Sequence, residues 1–514
     1  MRAPDHRWLP LSLLAAAAAA QQGAPTWIST TDLGCFTPPA ALAAVGLAGT
    51  DLGVAFPLGD RIAFLFGDSW TLDRTDQDAD SVAFAPRSLP AAGLPALTWL
   101  TRENGRFHEL APKGLPLGGM NVPVEGVVVG DRVHVFFSDG WDGRRGRHSH
   151  SVCTTARGGD LRQLEVAHRA ATERFVNVSI VRDRDVCWIF ATGDYRKSDV
   201  FLARVASRDL ADRGAWRYWP DFSADEARAR PVVTGAAFGE LSVRRVPGCD
   251  LWWMAMNAPA PRGIHLRVAA APTGPWSEPV VLFDPARDRG YGHCMHQKAS
   301  AVGFDDGLSE PGREEDWGGE YGPYIVPDWC SSPGKGVVDL VYTLSTWNPY
   351  TTRLLRSRVV LPGAHWQEPA ASPPSVALTA RSPQNLAFAN GSLAGWKQEG
   401  DRFATAQRGD GSWFVCTYVA PGGDRVKGRI WQEFTVPAAA KELRGFVWGG
   451  DESVELWRGD ERVRCTRGRR TNDRETPLRW NLESLRGATV RLQIADGSAA
   501  AWGFVSVCGL ELVE

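Results

Sequence analysis

GTDLGVAFPLGDRIAFLFGDSW, residues Gly49–Trp70, reads as a β-hairpin. Two runs rich in Val, Ile and Phe flank Gly59-Asp60, a pair suited to a two-residue hairpin turn. Counting outward from that turn, Leu58 faces Arg61, Phe56 faces Ala63 and Asp51 faces Asp68. The two carboxylates are therefore expected as a cross-strand pair at the open end of the ladder. Directly opposed side chains hold their Cβ atoms roughly 4.5–5.5 Å apart, and like charges there repel. Two carboxylates that close cannot both ionise freely, so one pKa rises. An acid with a raised pKa beside an ionised carboxylate is the pairing that glycoside hydrolysis uses. The plainer alternative is that each Asp caps a strand end or accepts from loop amides.

The hairpin has four echoes. VPVEGVVVGDRVHVFFSDGW (Val122–Trp141) turns at Gly130-Asp131, and FVNVSIVRDRDVCWIFATGDYR (Phe175–Arg196) turns near Asp183. FGELSVRRVPGCDLWWMAMN (Phe238–Asn257) turns near Gly248, and Tyr321–Tyr350 turns at Pro333–Gly336. Each second strand runs into a short polar residue: Asp68, Asp139, Asp194, Asn257 and Asn348. Further strand patterns follow most copies, as in Ser198–Val205, Ile264–Ala271 and Thr352–Val360. About four strands repeated radially make a β-propeller blade. The expected fold is all-β, a five-bladed β-propeller over residues 35–361. Its repeat phase would bring the polar strand ends, and Glu240 in the phase of Asp51, to one mouth of a central channel.

Residues 362–383 are rich in Pro and Ala and read as a linker. Beyond them, 384–514 carries short, evenly spaced strands, expected as a jelly-roll-like β-sandwich. Trp413, Trp431, Trp448, Trp457, Trp480 and Trp502 make a carbohydrate-binding module conceivable there, although several sit inside strand patterns that suit a core.

At the other end, Arg2 and Arg7 precede an apolar run and the small residues Ala18–Ala20. That order is the pattern of a secretory signal peptide over 1–20, so a secreted or periplasmic protein is expected. No later segment has the length and apolarity of a membrane-spanning helix, so no membrane insertion is expected. The net charge of −2 and the lack of a basic run argue against nucleic acid as a partner. The nine Cys are scattered without a CxxC spacing, which argues against zinc. No cofactor is expected; a central cation would suit such a propeller, but no ligand set stands out.

Seven phrases in order resemble one family. They are GTDLG (Gly49–Gly53), FGDSW (Phe66–Trp70), GDYRKSDVFLARV (Gly193–Val205), GELSV (Gly239–Val243), GPW (Gly274–Trp276), YGPY (Tyr321–Tyr324) and STWNPY (Ser345–Tyr350). The chain thereby resembles the domain of unknown function 4185 family, associated with endo-D-arabinanases as glycoside hydrolase family 183. The resemblance covers the propeller region only. It implies a five-bladed propeller and catalysis by the Asp of GTDLG and the Asp of FGD, which fall on Asp51 and Asp68. One stretch departs from the family: after FGD an Asn-rich segment is usual, whereas Ser69–Phe84 here is acidic.

The expected chemistry is hydrolysis of a glycosidic bond in a furanose polymer, α-linked D-arabinan foremost. Asp68 is assigned as acid and Asp51 as base or nucleophile, with Glu240 as a third carboxylate. Candidate substrate-binding residues are Trp70, Asp139, Asp194, Tyr195, Arg196, His293, His296, Tyr321, Trp347, Asn348 and Tyr350. Each has a plainer role open to it: a salt bridge for Arg196, packing for the His pair, blade closure for Trp347. A non-catalytic glycan-binding propeller and a surface scaffold are the alternative functions, since fold alone does not fix function. The expected partner is a polysaccharide substrate; nothing in the sequence points to a protein partner.

Overall fold

A computed structural model describes residues 23–90, 94–288, 290–291, 294–296, 308, 313, 316–364, 382–401, 403–418, 425, 427–450, 452–468, 471–497 and 502–514. The stretch 1–20 expected as a signal peptide, His293 and most of the stretch 362–383 expected as a linker lie outside the described residues. The described residues fall into two compact units. The first draws on Met1–Asp288, Glu320–Thr346 and Tyr350–Gln367, the second on Arg289–Gly319, Trp347–Pro349 and Glu368–Glu514. Two short stretches, 289–319 and 347–349, thus group with the second unit rather than with the strands that flank them in sequence.

Both units are built of antiparallel strands, and the one α-helix among the described residues is the short Pro39–Ala44. The first unit holds five sheets. The first sheet is Leu47–Leu58, Arg61–Thr71, Ala79–Pro86 and Thr98–Trp99, in that spatial order. The second is Val122–Val129, Arg132–Asp139, His150–Arg157 and Glu165–Ala171. The third is Asn177–Asp183, Val186–Thr192, Ser198–Ala206 and Arg217–Tyr218, with Pro231–Phe238 also paired to its third strand. The fourth is Leu241–Arg245, Trp252–Pro259, Arg262–Ala269 and Val280–Phe283. The first strand of each meets the first strand of the next, and Val337–Thr346 of the fifth sheet meets Leu47–Leu58. Between the fourth and fifth sheets, Ile325 N donates to Ser242 Oγ at 3.0 Å. The sheets therefore form a closed circuit. Middle strands such as Val337–Thr346 are buried along their whole length, as strands covered on both faces must be.

The circuit is closed by the chain's own beginning. Thr26–Cys35 pairs along Thr351–Val360 in the fifth sheet. Just past it, Thr37 Oγ1 accepts from Thr352 N at 2.9 Å, and Arg353 forks onto Asp32. Nothing local marks 26–35 as a strand; its partner lies at the far end of the unit. None of the nine cysteines forms a disulfide. Among the described residues, no helix is long and apolar enough to cross a membrane.

Where the inner strands converge, Glu125 and Arg244 form a buried ion pair, 1% and 8% exposed. Both guanidinium amines reach the carboxylate, at 2.8 and 2.9 Å. Ile180 N and Gly126 N donate to Glu125 as well, and Arg244 donates to Ser179 Oγ and to the carbonyl of Ala55. Four sheets thus supply partners to one pair.

The second unit has two five-stranded sheets. One is ordered Lys397–Gly400, Gly428–Thr435, Thr489–Asp496, Ser453–Arg458, Glu461–Arg467. The other is ordered Ala404–Gln407, Trp413–Cys416, Val505–Val513, Glu442–Gly449, Thr471–Asn481. Ile430, Leu456 and Ile494 of one share a core with Val415, Val447 and Val507 of the other. Trp480 is in that core, while Trp413, Trp431, Trp457 and Trp502 are half-buried.

Removing one partner of a buried ion pair leaves an uncompensated charge, at a cost of about 3–5 kcal/mol. Glu125→Ala is expected to lower the first unit's unfolding free energy by about that amount, read from urea denaturation. Replacing both Glu125 and Arg244 by Met should recover most of the loss. Equal destabilisation by the double and single variants would contradict the account.

Candidate active site

The hairpin forms as its sequence requires near the turn: Leu58 pairs with Arg61 and Phe56 with Ala63. Farther out the register shifts three times, and the first shift, between Val54 and Leu52, sets Asp51 against Gly67 rather than Asp68. The expected direct pairing of the two carboxylates is thus off by one residue. Bulges are the cause. Gly53 takes a left-handed φ of +80° in the first shift, against Thr343. Asp68 takes a φ of +40° and is skipped in the pairing to the third strand as well, where Phe66 meets Ser81 and Ser69 meets Ala79. A one-residue offset in a regular strand would send Asp68 to the opposite face from Gly67. The bulge re-aims it, a device common beside active sites. Gly67 itself has no room for a side chain, since a Cβ there would stand 2.6 Å from Val122. A buried hydroxyl ladder, Thr50–Ser69–Ser81 at 2.7 and 2.8 Å, fastens the three strands behind the bulge.

Asp51 is 5% exposed and accepts from the Tyr321 hydroxyl at 2.8 Å. Burial pushes its carboxyl up to about 7, and the charge of Glu240 adds to this, while the phenols of Tyr321 and Tyr350 and the Arg196 cation pull the other way. Asp68 is pushed higher, to about 9, by burial first, then by the charge of Asp51 and by a carboxyl–carboxyl hydrogen bond with Asp78. That bond needs one proton; it raises Asp68 and lowers Asp78, so Asp68 holds it. Asp78 is fixed in turn by Met120 N, which donates to its Oδ1 at 2.7 Å. Asp80, 3% exposed, is held well above the usual carboxylate range by burial and by its acidic neighbours Asp68, Asp78 and Asp51.

Glu240 joins this group from the start of the fourth sheet. It is buried and accepts from the Tyr195 hydroxyl at 3.3 Å and from Arg196 at 3.4 Å. The Arg196 guanidinium lies 4.7 Å from the centre of the Tyr195 ring and 5.5 Å from that of Tyr321. Gly239 precedes Glu240 because Asn257 leaves no space: a Cβ would sit 2.0 Å from its Oδ1. Asn257 therefore props the glutamate's backbone.

The structure thus gathers Asp51, Asp68, Glu240, Tyr195, Arg196, Tyr321 and Tyr350. It changes the role expected for several. Trp70 and Tyr350 stack on each other at 4.3 Å and both are buried, so they support the site instead of offering an open platform. The Tyr350 hydroxyl donates to the Asp68 carbonyl at 3.1 Å, and Gly49 makes room for its ring. Tyr321 is likewise buried beneath Asp51. Asp139 is consumed by Arg169 at 2.7 Å and by Gly118 N at 2.8 Å, which hold its pKa down. Asp194 takes Arg147 at 3.3 Å. These two are salt-bridge carboxylates rather than members of the cluster.

Three more candidates belong to the second unit. There His296 N donates to the carbonyl of Asn348 at 2.9 Å, and the Asn348 amide donates to the carbonyls of Arg313 and Asp316. Trp347 is 45% exposed and carries the Arg313 guanidinium 4.8 Å over its ring. Sequence reasoning missed Asp78 and Asp80. Their signal was the acidic stretch Ser69–Phe84, the place where the chain leaves the family pattern.

A carboxyl with a raised folded pKa binds a proton that the unfolded chain has lost, so stability falls as pH rises from the ordinary carboxylate range. Asp80→Asn is therefore expected to raise the melting temperature clearly at pH 8 and little at pH 4. An equal effect at both, by calorimetry, would show that Asp80 is not held protonated.

A protein of Aspergillus versicolor, the notoamide biosynthesis cluster protein J′, is 30% identical to this chain over 132 residues, covering 24% of this chain and 36% of that one. The chain thus spans about a third of that relative's length. An exo-β-1,3-galactanase of Phanerochaete chrysosporium, solved with β-1,3-galactotriose, aligns over 93% of this chain and 100% of its own at 11% identity and a TM-score of 0.43. A GH43 β-xylosidase/α-arabinofuranosidase from a compost microbial metagenome aligns over 66% and 94% at 10% identity and a TM-score of 0.36. Residues 37–356 match the family model described as domain of unknown function (DUF4185), and the chain belongs to that family.

Proposed function

We propose that this protein is an exported glycoside hydrolase that cuts furanose-containing polysaccharide, with endo-acting D-arabinanase activity as the specific assignment. One observation carries the reading: a buried carboxyl, Asp51, and a half-buried one, Asp68, lie within each other's field in unlike surroundings. Asp68 keeps its proton against Asp78, while Asp51 is steadied by phenol hydroxyls and a nearby guanidinium. Two titratable groups pushed apart by their surroundings divide into acid and base. Asp68 then protonates the leaving glycosidic oxygen. Asp51 attacks the anomeric carbon or takes the proton of the attacking water. Glu240, held by Tyr195 and Arg196, is the third acidic side chain placed to face the oxocarbenium-like transition state.

The rest of the reading follows the same line. The circuit of five sheets is taken as a five-bladed propeller, with the carboxylates contributed by the first and fourth blades. The two-sheet unit is taken as a β-sandwich that binds carbohydrate, with the half-buried Trp413, Trp431, Trp457 and Trp502 as its ring-stacking candidates. The N-terminal leader supports export. The D-arabinan assignment rests on the resemblance of the seven phrases.

The test is the product profile on defined α-linked D-arabinan. Asp51→Asn and Asp68→Asn should each lower kcat/KM by about 10²–10⁴ while the circular dichroism spectrum is unchanged. The parent's kcat/KM should rise as the pair sheds its first proton, near 7, and fall as it sheds the second, near 9. Asp68→Asn should abolish the alkaline fall. Full binding of arabinan with no new reducing ends at any pH would favour the glycan-binding alternative.

A further inference from the structure

An open cleft of about 530 Å³ lies in the first unit beside the carboxylate pair. Asp76, Asp78, Asp80 and Glu109 line it together with Leu115 and Leu117. We propose that this cleft is a glycan subsite continuous with the catalytic centre, in which Asp80 takes sugar hydroxyls and Leu115 and Leu117 pack against the apolar faces of the rings. The inference rests on the glycosidase reading for the class of its ligand.

Asp78 makes the continuity physical, because it lines the cleft and its carboxyl neighbours that of Asp68. A sugar chain lying in the cleft therefore touches the carboxyl next to the acid. Asp80 supplies the independent sign of a ligand. Its Oδ1 is buried and, among the described residues, has no hydrogen-bond partner, yet its side chain lines the cleft. Such an atom costs about 1–3 kcal/mol unless something meets it. The size fits a small-molecule site, which commonly runs from about 300 to 1,000 Å³. The lining is mixed in the way a sugar is mixed, with hydroxyl partners on one side and half-buried leucines on another.

A metal ion fits less well. Among the described residues no group of three His, Cys, Asp or Glu side chains is placed to hold one. Burial and its acidic neighbours push the Asp80 carboxyl well above the usual carboxylate range, which favours the neutral form that donates as well as accepts. A neutral polyol uses both; a cation uses neither well.

The experiment titrates α-linked D-arabinofuranose oligosaccharides of increasing length by calorimetry into the full-length Asp68→Asn protein, whose slowed turnover leaves the ligands intact over a titration. Two further substitutions are added separately: Asp80→Ala, which removes the hydroxyl partner, and Leu117→Trp, which blocks the cleft without touching a carboxylate. Affinity should grow with chain length in Asp68→Asn, and each addition should weaken the longer ligands by about tenfold, or about 1.4 kcal/mol. Circular dichroism checks that each variant is folded. Oligosaccharides bound equally by all three proteins would overturn the subsite and leave the catalytic reading standing. No oligosaccharide bound by any of them would overturn both. Calcium chloride titrated into the same proteins gives the remaining outcome: binding that Asp80→Ala abolishes would make the cleft a cation site and overturn the inference.

Discussion

The Glu125–Arg244 pair is the constraint on which the first unit is strung. Burying two charges costs several kcal/mol each, and only complete pairing offsets this. Here the partners come from strands far apart in sequence: the Ala55 carbonyl, the Gly126 and Ile180 amides and the Ser179 hydroxyl. The pair is fully satisfied only when four sheets stand in their final places together. Apolar packing between sheets would tolerate small slides; forked hydrogen bonds at 2.8 and 2.9 Å do not. The hub therefore fixes the inner strands against one another, and Asp51 is carried by one of them.

The strand that gives Ala55 to the hub also carries Asp51. Between them it passes through Leu52 and Gly53, both left-handed. A left-handed leucine costs about 1–3 kcal/mol and persists only where its surroundings hold it. Its amide donates to Ser345 Oγ of the fifth sheet at 2.7 Å, and Gly53 abuts Thr343 of the same strand. The site is thus braced from the fifth sheet, while the hub braces the other end of the same strand. Tyr321 and Tyr350, also near the fifth sheet's strand ends, supply the phenols around Asp51 and Asp68. The last part of the unit is in this way required to shape the first hairpin.

What could be read from the sequence follows from how local its cause is. The turn at Gly59-Asp60 and the pairs next to it are legible because alternation and turn chemistry act over a few residues. The register at Asp51 is not, because its bulges answer to contacts with Thr343 and Ser345. The strand 26–35 is silent for the same reason, since only its partner at 351–360 defines it. Glu125 stands as one charge inside VPVEGVVV, an anomaly that was visible, but its meaning needed Arg244. Asp78 and Asp80 were visible as part of an acidic stretch, and only the pairing of Ala79–Pro86 beside the Asp68 bulge turns them toward the pair. Asp139 and Asp194 carried the same residue type in the same repeat phase and yet stand outside the cluster. An arginine reached each of them first.

The hub and the site bury the same chemical group under opposite conditions, and that contrast is the physical case for function. Both oxygens of Glu125 are bonded, and the pair has no further use for a partner. One oxygen each of Asp51, Asp68, Asp80 and Glu240 is buried and, among the described residues, has no hydrogen-bond partner. Native chains rarely leave buried polar atoms in that state, and four within one cluster is not a scattered defect. The same unit satisfies the Glu125 carboxylate completely, so full pairing of a buried carboxylate is within its reach. Destabilising carboxyls that repel one another are kept where substrate hydroxyls and a glycosidic oxygen would supply the missing bonds. Four such carboxyls gathered in one cluster, in a unit whose hub carboxylate is fully bonded, mark that cluster as the place that acts.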